Sequence, residues 1–211
     1  MPHSKAEDAH GNIGNTFTKL FRNKTYSQGV LAQIFYVGAQ IMCWTYIYQY
    51  AEGIGMDSVT AGYYQMAAFV LFTVGRAFGT YLLRFVNAGK LLMLFALFAI
   101  GCTLGVVVIN NVVGLYCLVG VSFFMSLMFP TIYGIALGKL SEDESKIGSA
   151  GLVMAIVGGA LMPKLQGMII DIGGYAVDDV NIVGISEINL SFLLPVLCFA
   201  FIAIYGRKNH N

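Results

Sequence analysis

The sequence predicts an all-α integral membrane protein of six transmembrane helices, and three observations lead there. First, 57% of the 211 residues are hydrophobic and only 11% are charged, with a mean hydropathy of +0.73. A soluble domain carries about 25% charged residues. Second, six apolar segments can be marked out: Gly29–Tyr50, Val59–Leu83, Leu91–Ile109, Val112–Leu137, Ile147–Ile170 and Ile188–Tyr205. Each has roughly the 20 residues that a helix needs to cross a bilayer. Third, Lys and Arg alternate between connections. They occur in the N-terminal arm (Lys5, Lys19, Arg22, Lys24), after the second segment (Arg84, Lys90), after the fourth (Lys139, Lys146) and in the tail (Arg207, Lys208). The other three connections have none, and the last of them carries Asp171, Asp178, Asp179 and Glu187. Under the positive-inside rule this fits six spans with both termini in the cytoplasm.

Residues 1–28 read as a cytoplasmic arm, 29–206 as the membrane bundle and 207–211 as a cytoplasmic tail. In the arm, Ile13, Phe17, Leu20 and Phe21 follow helical spacing beside Lys19, Arg22 and Lys24. A short amphipathic helix on the inner leaflet fits this pattern, and so does a partly disordered tail. The arm is polar, so the first span is expected to direct its own insertion.

In the first span Tyr36, Gln40 and Trp44 recur every fourth residue and share one face. Gly38 and Ala39 let a neighbouring backbone come close. Gln40 sits at mid-membrane depth, where hydrocarbon offers no hydrogen bond, so this helix needs a polar side. The second span holds Gly75 and Gly79, four apart on a close-packing face. Arg76 lies about 10 Å from the inner end by helix rise. It reads either as a snorkelling or structurally paired cation or as a gate residue facing a carboxylate.

The fourth span places Met125, Phe129 and Tyr133 on one face, and Pro130 frees a carbonyl one turn back and bends the helix. Such an aromatic stripe either lines a sugar-sized cavity or simply packs. The fifth span carries Gly148, Gly151, Gly158, Gly159 and Gly167 with Pro163, so close packing and a bend are expected. Lys164 lies toward its outer end, to snorkel outward or to touch substrate or gate.

Several chemistries are absent. The four cysteines (Cys43, Cys102, Cys117, Cys198) lie in apolar runs with no C-x-x-C pair, and the three histidines (His3, His10, His210) lie in the tails. No zinc site, disulfide framework or His-based catalysis is implied. A net charge of +1 suggests no nucleic-acid partner. No nucleophile–base or carboxylate pair stands at membrane depth, so an enzyme is not expected. No Asp or Glu lies mid-span, where a proton-driven carrier usually keeps its proton site.

Four groups of residues together resemble the C-terminal half of the fucose:proton symporter family of the major facilitator superfamily. They are Tyr36-Val-Gly-Ala-Gln40 with Trp44; Gly75-Arg76 with Gly79; Met125-Ser126 with Phe129-Pro130-Thr131; and Gly158-Gly159-Ala160 with Gly167 and Asp171. The resemblance runs from about Phe17 to Lys208. The Gly79–Lys90 region also resembles the superfamily's inter-helix motif but has Leu83 where an Asp is common.

The resemblance implies one half of a twelve-helix fold, built from two inverted three-helix repeats, with residues 1–28 joining the halves. It implies a proton-coupled transporter that imports L-fucose or a related hexose by alternating access. The proton is the coupling ion, no cofactor is needed, and the acidic proton carriers lie in the other half. The expected substrate contacts are Tyr36, Gln40, Trp44, Phe129 and Tyr133, with Tyr36, Trp44 and Tyr133 stacking on the sugar ring and Gln40 binding its hydroxyls. The expected gating or structural residues are Gly75, Arg76, Gly79, Pro130, Gly158, Gly159, Pro163 and Lys164. Expected partners are the sugar, membrane lipid and an N-terminal six-helix half in the same or another chain, in a bacterial cytoplasmic membrane. Two alternatives keep the fold: a truncated or split fragment inactive alone, and a non-transporting subunit that self-associates through the Gly75–Gly79 face.

Overall fold

The computed structural model describes residues 18–171 and 185–210, and these form helices in the order the apolar segments predict. The first span is α1 (Lys24–Thr45) continued, after a turn at Tyr46, by α2 (Ile47–Gly53); the second is α3 (Ser58–Leu82). The third is α4 (Ala88–Val108), and the fourth is α5 (Val112–Met125) followed by α6 (Met128–Leu137). The fifth is α7 (Glu142–Met154), a 3-10 turn at Ala155–Val157, and α8 (Gly158–Ile170). The sixth is α9 (Glu187–Ser191) followed by α10 (Leu193–Lys208).

Each span opens on an Asn, Asp or Ser whose side chain accepts a hydrogen bond from a first-turn N–H: Asn23, Asp57, Asn87, Asn111, Ser141 and Ser186. Such a cap contributes about 1 kcal/mol by filling a donor that the helix leaves empty. Asn23 also explains why the first span starts at Lys24, five residues before the expected Gly29. The prolines beyond the N-terminus (Pro130, Pro163, Pro195) fall in the fourth, fifth and sixth spans, shortly after their interruptions. A proline removes one backbone donor and crowds the preceding turn, so broken helices are expected there.

Five of the six spans are long and apolar enough to cross a membrane. The exception, the second span α3, has 25 residues, about 37 Å of helix. It is more polar because it carries Tyr63, Tyr64, Gln65, Arg76 and Tyr81. Helices α1 and α5–α6 pack on one another in the centre. Helix α3 flanks α5, α8 flanks α1, and α4 and α10 pack together while also touching α5 and α1 respectively. The flanking spans are the least covered. Only 17% of the fifth span's apolar stretch is buried. Along α3, Val59, Tyr63, Met66, Val70, Val74 and Tyr81 form an exposed stripe.

The arm docks on the end of the bundle where the first span begins. Residues 18–22 are helical, and Leu20 is buried with Tyr26, Ala136 and Leu152. Phe21 remains exposed and meets the Tyr26 ring edge-on. Ile13 and Phe17 lie outside the described residues. Lys19 Nζ donates to Glu144 Oε1 at 2.8 Å. Glu144 also closes a reciprocal capping box with Ser141 at the start of α7.

The Lys19 hydrogen bond and the Ser141 bonds hold the Glu144 carboxyl below its ordinary pKa, and Glu144 holds Lys19 above its own. The latch is therefore present at neutral pH. It is lost as pH falls through the lowered Glu144 value, and again as pH rises through the raised Lys19 value. A nitroxide on Phe21→Cys should stay immobile at neutral pH and become mobile in acid. Glu144→Gln, which keeps the capping box, should be mobile at both; an immobile label in that variant would mean the ion pair does not hold the arm.

Candidate functional site

The site grows from one face of α1. Tyr26, Gly29, Gln33, Tyr36, Gln40 and Trp44 follow one another at three- or four-residue steps and so form one stripe. Near the start of α1, the Tyr26 hydroxyl donates to the Gly148 carbonyl at 2.9 Å, tying α1 to α7. Near its other end, Trp44 Nε1 donates to Ser122 Oγ at 3.2 Å, tying α1 to α5. The Trp44 indole is edge-on to Phe69 and Phe72 of α3, with ring centroids at 4.9 and 5.1 Å. Between these anchors Tyr36 meets Phe129 edge-on at 6.0 Å, and Phe129 stacks on Tyr133 at 6.4 Å. Gln40 is half-buried.

The opposite wall is the break in the fourth span. Pro130 has no N–H, so the carbonyl of Ser126, four residues back, lacks its helical donor. Arg76 supplies one, with Nε donating to Ser126 O at 3.2 Å. Its guanidinium also lies over the Phe72 ring at 5.2 Å, a cation–π contact. The Ser126 hydroxyl donates back to Phe123 O at 2.7 Å, and Thr131 Oγ1 donates to Leu127 O at 2.8 Å. Helix α3 comes this close because of its two glycines. A Cβ on Gly75 would stand 2.5 Å from Phe123 O, and one on Gly79 would stand 3.0 Å from Leu127 Cδ2.

The glycine pair of the fifth span does the same on the other side of α1. A Cβ on Gly158 would collide with the Ile34 carbonyl, and Gly159 lies against Val37 and Ile41. The Pro163 carbonyl accepts from Tyr46 Oη at 2.9 Å. Lys164 is exposed, with Leu161, Leu165 and Met168, on the face of α8 turned away from α1.

The structure thus brings Tyr36, Phe129 and Tyr133 into one aromatic run. Trp44 joins a second cluster with Phe69, Phe72 and Arg76. Lys164 joins neither. Three expectations need correction. Tyr36 is fully buried, so a ligand cannot stack on it while α1 and α6 stay packed. For Arg76 the gate reading gives way to the structurally paired one: no carboxylate faces it among the described residues, and its partner is a backbone carbonyl. The Gly75–Gly79 face is occupied by α5, so it is not free to pair two copies of the chain. Sequence reasoning also missed Gln33, which is fully buried three residues before Tyr36. Its signal was present, since it stands seven residues before Gln40 on the same stripe.

A bundle of six spans, with a polar and aromatic seam between two central helices and two poorly covered flanking spans, is the architecture of half a membrane transporter. The comparisons agree. No protein-family model matches the chain. It is 50% identical over 210 residues to the L-fucose-proton symporter of Haemophilus influenzae, covering 99% of this chain and 47% of that protein. It is 35% identical over 207 residues to the L-fucose-proton symporter of Escherichia coli (97% and 44%). It is 30% identical over 181 residues to a glucose/galactose transporter of Brucella abortus (84% and 40%).

Its fold matches a crystal structure of the E. coli fucose:proton symporter FucP with a TM-score of 0.83 and 34% identity, covering 93% of this chain and 45% of that one. A second structure, of FucP in the outward conformation, gives a TM-score of 0.81. The chain is thus similar to half of a fucose:proton symporter, a transporter of the major facilitator superfamily, and spans about half the length of the relatives it matches.

Removing Arg76 should leave the Ser126 carbonyl without a donor, at a cost of about 1–3 kcal/mol. Pro130→Ala restores a backbone N–H for that carbonyl. In a double-mutant cycle followed by thermal unfolding in detergent, Arg76→Ala should cost clearly less in the Pro130→Ala background. Equal losses in both backgrounds would show that the arginine does not hold the break.

Proposed function

We propose that this chain is the C-terminal half of a proton-coupled sugar transporter, importing L-fucose or a related hexose by alternating access. The observation that carries the reading is the α1–α6 seam, where Tyr36, Phe129 and Tyr133 form one aromatic run and the half-buried Gln40 follows one turn beyond Tyr36 on the same face of α1, in a bundle matching half of FucP. An amide can exchange hydrogen bonds with sugar hydroxyls, while aromatic faces take the apolar side of a pyranose ring. Gln40, Trp44, Phe129 and Tyr133 are the direct contacts, with Tyr36 packed behind Phe129.

The proton is the coupling ion. Its carrier belongs to the other half, because no described Asp or Glu stands at the middle of a span here. That other half, in the same or a separate chain, covers the exposed faces of α3 and the fifth span. The setting is a bacterial cytoplasmic membrane, with both ends of the bundle on the cytoplasmic side and lipid around α4 and α10.

The test is sugar uptake by a carrier completed with an N-terminal six-helix half. Such a carrier should take up L-fucose in a proton-dependent way, and Gln40→Leu should raise KM about tenfold, the value of one or two lost hydrogen bonds. Unchanged KM would remove Gln40 from the site. Uptake by this chain without a partner half would overturn the half-transporter reading.

A further inference from the structure

Two buried side chains on the α1 stripe lack hydrogen-bond partners. Gln33 is fully buried, and neither its amide oxygen nor its amide nitrogen is bonded by any described residue. Tyr36, one helical turn on, is also fully buried, and its hydroxyl has no partner. Buried polar atoms are almost always paired, because each unpaired one forfeits about 1–3 kcal/mol. Their neighbours on the stripe are satisfied, Tyr26 through Gly148 and Trp44 through Ser122. Three unpaired atoms therefore cluster in one turn of helix, against the aromatic wall that begins at Phe129.

We propose that Gln33 and Tyr36 form an inner hydroxyl-binding step for the sugar, closed in this conformation and opened when α1 and α6 part on the cytoplasmic side. The proposal rests on the sugar-transport reading and extends its site. Gln33 lies seven residues before Gln40, about 10 Å nearer the cytoplasm by helix rise. A primary amide presents one acceptor and two donors side by side, the pattern that adjacent ring hydroxyls complement, and the phenol adds a donor and acceptor one turn away. A polyhydroxylated ligand would satisfy groups that the closed state leaves bare. The closed state is destabilised by those bare groups, so sugar binding and inner opening are linked. Gln33 and Tyr36 would thus meet the sugar after Gln40 on the way in, and before it on the way out.

The experiment uses the completed carrier in right-side-out vesicles, comparing KM for L-fucose efflux with KM for uptake. Gln33→Leu and Tyr36→Phe should each raise the efflux KM about tenfold and change the uptake KM less than twofold. Neither should lower thermal stability, since each removes an unpaired polar group. Tyr36→Phe keeps the ring, so it decides the matter if Gln33→Leu does not fold. Efflux KM within twofold of wild type, with raised thermal stability, would show a mere packing fault and overturn the proposal. Equal rises at both faces would overturn the inner placement. A wild-type carrier that moves no sugar removes the transport reading itself, whereas normal wild-type transport with unaffected variants removes only this step.

Discussion

The hydrogen bond from Arg76 to the Ser126 carbonyl is the contact on which much of this architecture depends. In a bilayer every backbone polar group must find its partner inside the protein. The fourth span breaks that rule at Pro130, and a side chain from α3 repairs it. The repair has consequences in sequence order. Arg76 can reach only if α3 lies against α5, which requires glycine at positions 75 and 79. The same approach sets Phe72 under the guanidinium and beside Trp44, linking α3 to α1. One missing N–H thereby fixes the relative placement of three spans. An arginine suits the task because its delocalised, weakly hydrated cation tolerates partial burial and presents several donors.

The two sides of α1 are held by different means. Toward α5 and α6, contacts are aromatic and polar, and they converge on the broken turn. Toward α8, glycines bring the two helices close, with Gly158 at the Ile34 backbone and Gly38 beneath the Met162 side chain, and Tyr46 donates to the Pro163 carbonyl. Close glycine crossings maximise van der Waals contact where the hydrophobic effect offers no drive between helices. The 3-10 turn at Ala155–Val157 and Pro163 place two weak points in the span on that side. The fifth span thus bends beside α1 and is held to the first span by the Tyr26 hydroxyl near one end and the Tyr46 hydroxyl near the other.

The span pattern was plain in the sequence because it follows from composition, length and loop charge. Even the interruptions were announced, by Pro130 and Pro163. The site was legible only in part. Residues on one helix face can be grouped from spacing alone, so Tyr36 with Gln40 and Phe129 with Tyr133 were found. Spacing does not say which neighbour a face meets. The Gly75–Gly79 face therefore read equally well as a dimer contact, although α5 covers it. Arg76 drew attention as a charge, whereas its partner is a carbonyl exposed by a proline fifty-four residues later, a pairing no local pattern encodes. Gln33 passed unnoticed because a glutamine near the inner third of a span reads as interfacial, and only the packed structure shows it sealed.

The distribution of burial decides what surrounds the bundle. Largely apolar α4 and α10, whose charges Lys90, Arg207 and Lys208 stand at one end, are suited to lipid on their outer faces, and they pack tightly on each other. Helix α3 is different: its exposed stripe carries Tyr63 and Tyr81 among apolar residues, and Arg76 emerges partly from its edge. Lipid would solvate the arginine poorly at that depth, whereas a protein surface with acceptors would not. The fifth span has the same character, with Lys164 on a stripe otherwise made of Leu161, Leu165 and Met168. Two amphipathic faces flanking a polar seam argue for a protein partner across the seam, laid over α3 and α8 at once. Because α8 crosses α1 on glycines and α3 is pinned to α5, such a partner would bear on both central helices at once.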